Sequence, residues 1–215
     1  MSIDEYLQSL IPKRTGLIAE MEEYAGLHNV PIMEPEGMEA LLQILRLENP
    51  QAILEVGAAI GYSALRMAEA LPDVKIVTIE RDEERIGVAK ENIRKACAQN
   101  RVTLVEGDAL EVTESIKEYG TFDAIFIDAA KGQYRKFFEL YEPFLNDGGI
   151  IVTDNVLFKG LVAVKEEEIE LRRIRSLVRK IKEYNVWLHN HPDYHTVILP
   201  IGDGVAISKH KGKRK

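Results

Sequence analysis

The stretch AILEVGAAIGYS, residues 52–63, decides the fold of this chain. It joins a short apolar run, Ala52–Val56, to a loop with two glycines and to the start of an amphipathic segment. A continuous apolar run that ends at glycine and leads into a helix is typical of a parallel strand covered on both faces. The pattern recurs downstream, which indicates a sheet built from several such units.

Apolar runs alternate with amphipathic segments as far as residue 153. The further predicted parallel strands are Lys75–Ile79, Val102–Val105, Phe122–Ile127 and Gly149–Thr153. The predicted helices are Ser63–Ala70, Glu83–Ala98, Glu111–Glu118, Tyr134–Phe144 and the charged Lys165–Tyr184. Tyr194–Leu199 and Val205–Ser208, joined through a Pro- and Gly-containing turn, are typical of a hairpin. We therefore expect an α/β, Rossmann-like, doubly wound sheet of seven strands, mostly parallel, with a C-terminal antiparallel hairpin.

The N-terminal part of the chain has a purely helical pattern. Residues 1–48 contain predicted helices at Asp4–Leu10, Thr15–His28 and Glu36–Arg46, the last one directly after a proline. No repeat or linker divides the 215 residues, a length that suits one domain with a full core. We expect a single domain over residues 1–215, with residues 1–48 as a helical cap and 210–215 as a basic tail.

Charge and composition limit the possible environments and partners. No segment reaches the roughly 20 apolar residues of a membrane span, and the acidic start MSIDEYLQSL lacks the features of a signal peptide, so we expect a cytoplasmic protein. The net charge of −7 argues against a surface that coats nucleic acid. Residues 171–182 and the Lys209–Lys215 tail are nevertheless basic, and either a solvated surface or phosphate contacts would explain them. The lone Cys97 is predicted to be an inert, part-buried thiol.

Three strand ends carry residues suited to a nucleoside-type ligand. Gly57 and Gly61 allow a tight turn and close approach to a ligand, and Ser63 lies near the following helix N-terminus, where a carboxylate or phosphate can bind. The spacing G-x-x-x-G differs from the G-x-G-x-x-G of dinucleotide enzymes. Glu80 ends the second strand, where an acid can accept ribose hydroxyls, and Asp108 follows the third, where an acid can accept the adenine amino group. Together they predict a nucleoside-type cofactor.

Two other strands run directly into carboxylates. Asp128 follows the fourth strand, and Asp154 with Asn155 follows the fifth. Neighbouring strand ends lie about 5 Å apart, so these residues would present hard oxygen ligands to one point, which suits Mg²⁺. The alternative is that both acids merely cap the following segments. Histidines 189, 191 and 195 form a rival pattern, which we interpret as loop histidines without a metal.

The stretch Ile53–Ala68 resembles the first motif of the catechol and caffeoyl-CoA O-methyltransferases, a class I family that uses S-adenosylmethionine. The resemblance implies that Ser63 binds the methionine carboxylate, Glu80 the ribose, and Asp108 with Ala109 the adenine. The implied cofactor-binding set also includes Glu55, Gly57, Asp128 and Met33. For Met33 the alternative is that it is only a core methionine. The family's D-x-x-K and D-N motifs are present, and they imply Mg²⁺ at Asp128, Asp154 and Asn155, with Asp128 and Lys131 as catalytic residues.

The resemblance also implies a chemistry. Two vicinal oxygens that chelate Mg²⁺ allow one of them to ionise near neutral pH, and Lys131 either accepts the proton or stabilises the oxyanion. Ala130 departs from the tryptophan of animal catechol enzymes, and the acid that grips the second catechol oxygen has no match. A small-catechol acceptor is therefore disfavoured.

Residues 11–14, 30–34 and 154–160 resemble the bacterial tRNA 5-hydroxyuridine methyltransferases. This implies a tRNA anticodon loop as partner, 5-methoxyuridine as product, and a homodimer. The basic helix and tail, with Lys13 and Arg14, would then contact phosphates, and Ala130 would leave room for an unstacked base. The alternatives are a small-molecule catechol or caffeoyl-CoA-type O-methyltransferase, and a non-catalytic nucleotide-binding module, which would not need both acid motifs.

Overall fold

The computed structural model describes residues 3–212 of the chain. Its helices are α1 (Ile3–Leu10), α2 (Gly16–His28), α3 (Pro35–Glu48), α4 (Tyr62–Ala70), α5 (Glu83–Lys95), α6 (Thr113–Ile116), α7 (Tyr134–Tyr141) and α8 (Arg172–His189). Its strands are β1 (Ala52–Val56), β2 (Lys75–Glu80), β3 (Val102–Glu106), β4 (Phe122–Ile127), β5 (Leu145–Thr153), β6 (Tyr194–Leu199) and β7 (Val205–His210). Residues 213–215 of the predicted basic tail lie outside the described residues.

The predicted sheet is confirmed. Its seven strands have the order β3-β2-β1-β4-β5-β7-β6, with β1 to β5 parallel and β7 antiparallel to both β5 and β6. Val56 at the end of β1 is level with Ile79 of β2 and Ile127 of β4, so the carboxyl ends of these strands form one edge. The strand order reverses between β1 and β4, and at such a switch point open α/β sheets form a ligand crevice.

Helices cover the sheet on both faces because β1 and its neighbours are apolar at successive positions. Ile53 faces a core cluster shared with α2, α3 and α4, whereas Leu54 faces a second cluster shared with α7 and α8. The N-terminal helices α2 and α3 therefore extend the first core through residues such as Met21 and Leu41. Among residues 3–212, no helix is both long enough and apolar enough to cross a bilayer.

Several element boundaries differ from the prediction, most of all those of the charged helix. The charged helix begins at Arg172 and continues to His189, because Val178, Ile181, Tyr184 and Leu188 prolong its buried stripe. Before it, residues 166–168 form a single 3-10 turn, and the Arg175 guanidinium donates to the carbonyl of Ile169, where the backbone is extended. In addition, α5 ends at Lys95, and β5 begins at Leu145.

The prediction of a part-buried thiol is wrong, since Cys97 is exposed. The residue follows the end of α5 in a left-handed conformation, with φ of 52°. The amide of Ala98 donates to Ile93 O at 3.0 Å, and the Ala98 side chain, only 2% exposed, fills the apolar position instead. The turn that ends the helix therefore directs the thiol outward.

Candidate active site

A cavity of about 620 Å³ opens at the carboxyl ends of β1 to β5, a volume typical of small-molecule sites. It brings together every predicted site residue except Glu55: Met33, Gly57, Ser63, Glu80, Asp108, Ala109, Asp128, Lys131, Asp154 and Asn155. Met33 lines the cavity and also packs in the first core cluster at 4% exposure, so its position suits both of the roles considered for it.

The loop after β1 approaches the neighbouring strand too closely for any side chain at its first position. Gly57 has φ of 107°, and a Cβ there would lie 2.2 Å from the carbonyl oxygen of Asp128. The amides of Gly57 and Ala58 donate to Ile79 O at 3.1 and 2.9 Å. Glycine therefore allows the first loop to lie directly against the end of β4.

The Glu80 carboxylate ties this loop to β2. Its Oε2 accepts from the amide of Ala59 at 2.7 Å, and its Oε1 accepts from the amides of Arg81 and Asp82 at 2.9 and 3.0 Å. The side chain is held in one place at 8% exposure. Because each carboxylate oxygen offers about two lone pairs, Oε2 retains capacity to accept a ligand hydroxyl.

Glu55 lies outside the cavity and forms a hydrogen bond with Ser63, which lines it. It is fully buried and accepts hydrogen bonds from the Ser63 and Thr78 hydroxyls. Burial raises the pKa of Glu55 to about 7, although the two hydroxyl donors oppose the shift. Ser63 stands in the first turn of α4, so Glu55 orients a hydroxyl that already lies at a helix N-terminus.

Asp108 stands beyond the end of β3 and is already hydrogen-bonded. Its Oδ1 accepts from the amide of Leu110 and its Oδ2 from Arg81, both at 2.9 Å, and these contacts lower the pKa of its carboxyl. Ala109 next to it is fixed through its carbonyl, which accepts from the Tyr141 hydroxyl at 2.5 Å. Arg81 and Arg85 also line the cavity. Sequence reasoning missed both, although Arg81 directly follows the strand-end Glu80.

Asp128 and Asp154 continue β4 and β5 by one residue and stand side by side. The amide of Asp128 donates to Val56 O at 3.0 Å, and the amide of Asp154 donates to Ile127 O at 3.1 Å. Burial raises the pKa of Asp154 to about 8, and the charge of Asp128 adds to the shift. The pKa of Asp128 is also raised by removal from solvent, while Lys131 opposes this.

Lys131 and Asn155 complete this group. The Lys131 ammonium donates to Asn155 Oδ1, and Asn155 Nδ2 donates to Asp154 Oδ2 at 3.0 Å. Asn155 has a left-handed backbone, with φ of 57°. The buried Tyr134 hydroxyl donates to the Asp154 carbonyl at 2.9 Å. Two acids, an amide and an ammonium group therefore meet at one end of the cavity.

The rival histidines lie elsewhere. The His189 ring contacts the Asn185 carbonyl, whereas the His191 ring packs on Phe138, Trp187 and Tyr194. Across residues 3–212, no three acidic, cysteine or histidine side chains gather as a possible metal cluster. An oxygen site at Asp128, Asp154 and Asn155 would differ from such a cluster, since one of its ligands is an amide.

The predicted phosphate contacts divide into two groups. In the first group the cations already have partners in the protein. The Arg14 side chain is 11% exposed and forms ion pairs with Glu22 and Glu39. The Arg175 guanidinium donates to the Ile169 carbonyl. The ammonium groups of Lys209 and Lys211 are also occupied, by Glu48 and by the Pro192 carbonyl. The second group of predicted phosphate contacts is exposed and forms no ion pair or hydrogen bond within the described residues: Lys13, Arg172, Arg173 and Lys180.

Lys180 on α8 lies beside Gly132, which follows Lys131 in the chain. Its Nζ lies 3.7 Å from the position that a Cβ on Gly132 would take, next to Lys131 at the cavity mouth. On the same rim, Ala130 is exposed and leaves the entrance open.

Comparison with known proteins agrees with this geometry. A family model described as O-methyltransferase matches residues 12–211. Caffeoyl-CoA O-methyltransferase 1 of Arabidopsis thaliana is 30% identical over 94% of this chain and 80% of its own length. A Staphylococcus aureus structure provisionally described as a caffeoyl-CoA O-methyltransferase is 40% identical, covers 96% of this chain and 98% of its own, and has a TM-score of 0.90. An O-methyltransferase from Bacillus cereus, solved in complex with SAH, is 25% identical over 97% of both chains, with a TM-score of 0.82.

These matches span nearly the whole chain and include the strands and loops that build the cavity. The chain therefore belongs to the O-methyltransferase family and is a methyltransferase (EC 2.1.1) of the class I, S-adenosylmethionine-dependent, caffeoyl-CoA O-methyltransferase type.

Proposed function

We propose that this enzyme transfers the methyl group of S-adenosylmethionine to the 5-hydroxyl of 5-hydroxyuridine at the tRNA wobble position, giving 5-methoxyuridine, and that it requires Mg²⁺. One observation carries the proposal. A single cavity joins a nucleoside-type end, with Glu80 and Asp108, to an acidic end, with Asp128 and Asp154. A methyl donor and an oxygen acceptor can therefore meet between the two ends.

The donor would occupy the end of the cavity formed by β1, β2 and β3. Glu80 Oε2 has room to accept a ribose hydroxyl, and Ala109 beside Asp108 gives the adenine an apolar contact. The Ser63 hydroxyl and the N-terminus of α4 suit the methionine carboxylate. The SAH complex of the Bacillus cereus relative supports the same co-substrate here.

The acidic end fits a divalent cation. The Asp128 carboxylate accepts no hydrogen bond from the described residues, and the Asp154 carboxylate accepts only from Asn155, through its side chain and its backbone amide. Two adjacent carboxylates with raised pKa values gain from a cation that neutralises them. Asp128, Asp154 and Asn155 would hold Mg²⁺ through oxygen atoms, in the manner that this ion prefers.

The chemistry requires a deprotonated acceptor oxygen close to the sulfonium methyl. When bound, Mg²⁺ would lower the pKa of a hydroxyl that it contacts. Lys131 contacts Asn155 Oδ1. From this position it either accepts the hydroxyl proton or stabilises the developing oxyanion. The methyl group then passes from sulfur to oxygen, the hydroxyl proton leaves to solvent, and positioning of the two reactants supplies much of the rate.

An RNA acceptor is supported by the rim of the cavity. Ala130 leaves the mouth open, so a nucleotide that is out of its stack could enter. Lys180 beside this mouth, with Arg172 and Arg173 on α8, offers free cations to phosphates, which position an RNA without reading its sequence. We further propose a cytoplasmic homodimer. The apolar side chains that α1 exposes, Ile3 and Leu10 among them, support the dimer.

The second candidate is a small-molecule acceptor of the catechol or caffeoyl-CoA type. The Arabidopsis relative named as a caffeoyl-CoA O-methyltransferase favours it. Purified enzyme should be offered tRNA that contains 5-hydroxyuridine, free catechol and caffeoyl-CoA under the same conditions. We expect 5-methoxyuridine by nucleoside mass spectrometry, with at most weak transfer to the small acceptors. Efficient methylation of catechol or caffeoyl-CoA alone would establish the second candidate instead, and a deletion strain would then keep its 5-methoxyuridine.

A further inference from the structure

The loop after β5, residues 155–160, forms one wall of the cavity and has an unusual backbone. Asn155, Phe158, Lys159 and Gly160 all have positive φ values, of 57°, 46°, 54° and 75°. A non-glycine residue in this region costs about 1 kcal/mol or more, so such a conformation persists only where neighbours hold it. Phe158 and Lys159 are also the residues of this segment that line the cavity together with Asn155.

The turn between β6 and β7 holds this loop. The amide of Val156 donates to Gly204 O at 3.0 Å, and the amide of Leu157 donates to Asp203 O at 2.9 Å. A Cβ on Gly204 would lie 2.3 Å from Leu157 Cγ, so the turn fits against the loop without space between them.

Among side chains of the described residues, only that of Asp203 bonds the part of the loop with positive φ values, residues 158–160. Its carboxylate Oδ1 accepts a hydrogen bond from the Lys159 amide. An amide held by a carboxylate is bonded more strongly than one held by a neutral acceptor. The carboxylate therefore stabilises the conformation that places Phe158 and Lys159 at the cavity.

We propose that Asp203 is a positioning residue for the methyl acceptor. By bonding the Lys159 amide, it keeps Phe158 and Lys159 in the wall beside Asp154 and Asn155, and so determines how well the acceptor binds. The loop lies after β5, whereas Glu80 and Asp108, proposed for the co-substrate, follow β2 and β3. Loss of the Asp203 carboxylate should thus affect acceptor binding and leave co-substrate binding unchanged. This inference rests on the proposed methyl transfer.

The test compares Asp203→Ala, Asp203→Asn and a control, Asp73→Ala, which removes an exposed acid from another turn. For Asp203→Ala we expect the KM for hydroxyuridine-containing tRNA to rise about tenfold or more, the scale of one charge-assisted hydrogen bond. The Kd for SAH should stay within about twofold, since Glu80 and Asp108, proposed for the co-substrate, follow other strands and make no hydrogen bond to Asp203. Asp203→Asn keeps an oxygen acceptor and should recover most of the loss.

Hydrogen exchange gives a second readout that needs no turnover. The amides of Leu157 and Lys159, which donate to Asp203, should exchange about tenfold faster in Asp203→Ala, with β1 and β4 unchanged. An unchanged KM, unchanged exchange of this segment, or an equal loss of SAH binding would each overturn the proposal. If the parent methylates none of the acceptors, the proposed function fails, and the exchange result still decides whether Asp203 positions the loop.

Discussion

Replacing Glu55 with glutamine should change how stability depends on pH. Burial raises the pKa of Glu55 in the folded protein from 4.5 to about 7. The folded state therefore holds this proton more tightly, so its free energy of unfolding falls as pH rises from about 4.5 to about 7. The difference between these two pKa values corresponds to a loss of about 3 kcal/mol in the free energy of unfolding, or about 6 to 12 °C in Tm for a chain of this size. Glutamine does not titrate, so Glu55→Gln should not show this loss of stability.

The assay is chemical denaturation of parent and Glu55→Gln between pH 4.5 and 8.5. The difference in unfolding free energy should shift by about 3 kcal/mol in favour of the glutamine variant as pH rises. Both proteins contain Asp154, and comparing them cancels its titration; Asp128 is also in both, and its charge contributes to the shift of the Glu55 pKa. Glu118→Gln, at an exposed site, serves as the control and should run parallel to the parent. Parallel curves for Glu55→Gln as well would refute the account of its burial.

Two further predictions concern the ligands. Glu80→Gln should weaken the binding of S-adenosylmethionine, measured by calorimetry, about tenfold, because the acceptor for the ribose hydroxyl would lose its negative charge. An affinity within twofold of the parent would mean that Glu80 only holds the loop after β1 in place. Lys180→Ala should raise the KM for tRNA and leave kcat nearly unchanged. It should also lower the slope of log binding constant against log salt concentration by about 0.7 to 0.9. The control Lys136→Ala, on α7, should have neither effect. Identical salt slopes for the parent and Lys180→Ala would remove Lys180 from the RNA site.

The sheet could be predicted from the sequence because its strands are short, apolar and bounded by glycines or acids. The run 52–56 was predicted with the bounds that β1 has. The residues of the cavity were predictable for the same reason, since acids at the ends of parallel strands must share one edge. Boundaries were less predictable at residues 165–171, where four glutamates suit a helix but the backbone is extended at Ile169.

Contacts between distant parts of the chain could not be predicted. Nothing near Arg14 in sequence reveals that Glu39 turns its guanidinium inward, away from any phosphate. Glu55 interrupts the apolar run of β1, and only the fold shows that its buried carboxylate accepts a hydrogen bond from the Ser63 hydroxyl. Asp203 sits in an ordinary hairpin turn by sequence, and its role depends on a loop 44 residues earlier.

The central claim is that Asp128, Asp154 and Asn155 hold a metal ion at which the methyl acceptor reacts. The most direct measurement is methyl transfer to hydroxyuridine-containing tRNA after removal of metal with EDTA, for the parent, Asp154→Asn and Asp73→Asn. We expect the parent and Asp73→Asn to lose turnover in EDTA and to recover it with Mg²⁺. Asp154→Asn should remain inactive with Mg²⁺ present while it binds SAH like the parent. Undiminished turnover of the parent in EDTA, or near-normal turnover of Asp154→Asn, would contradict the account.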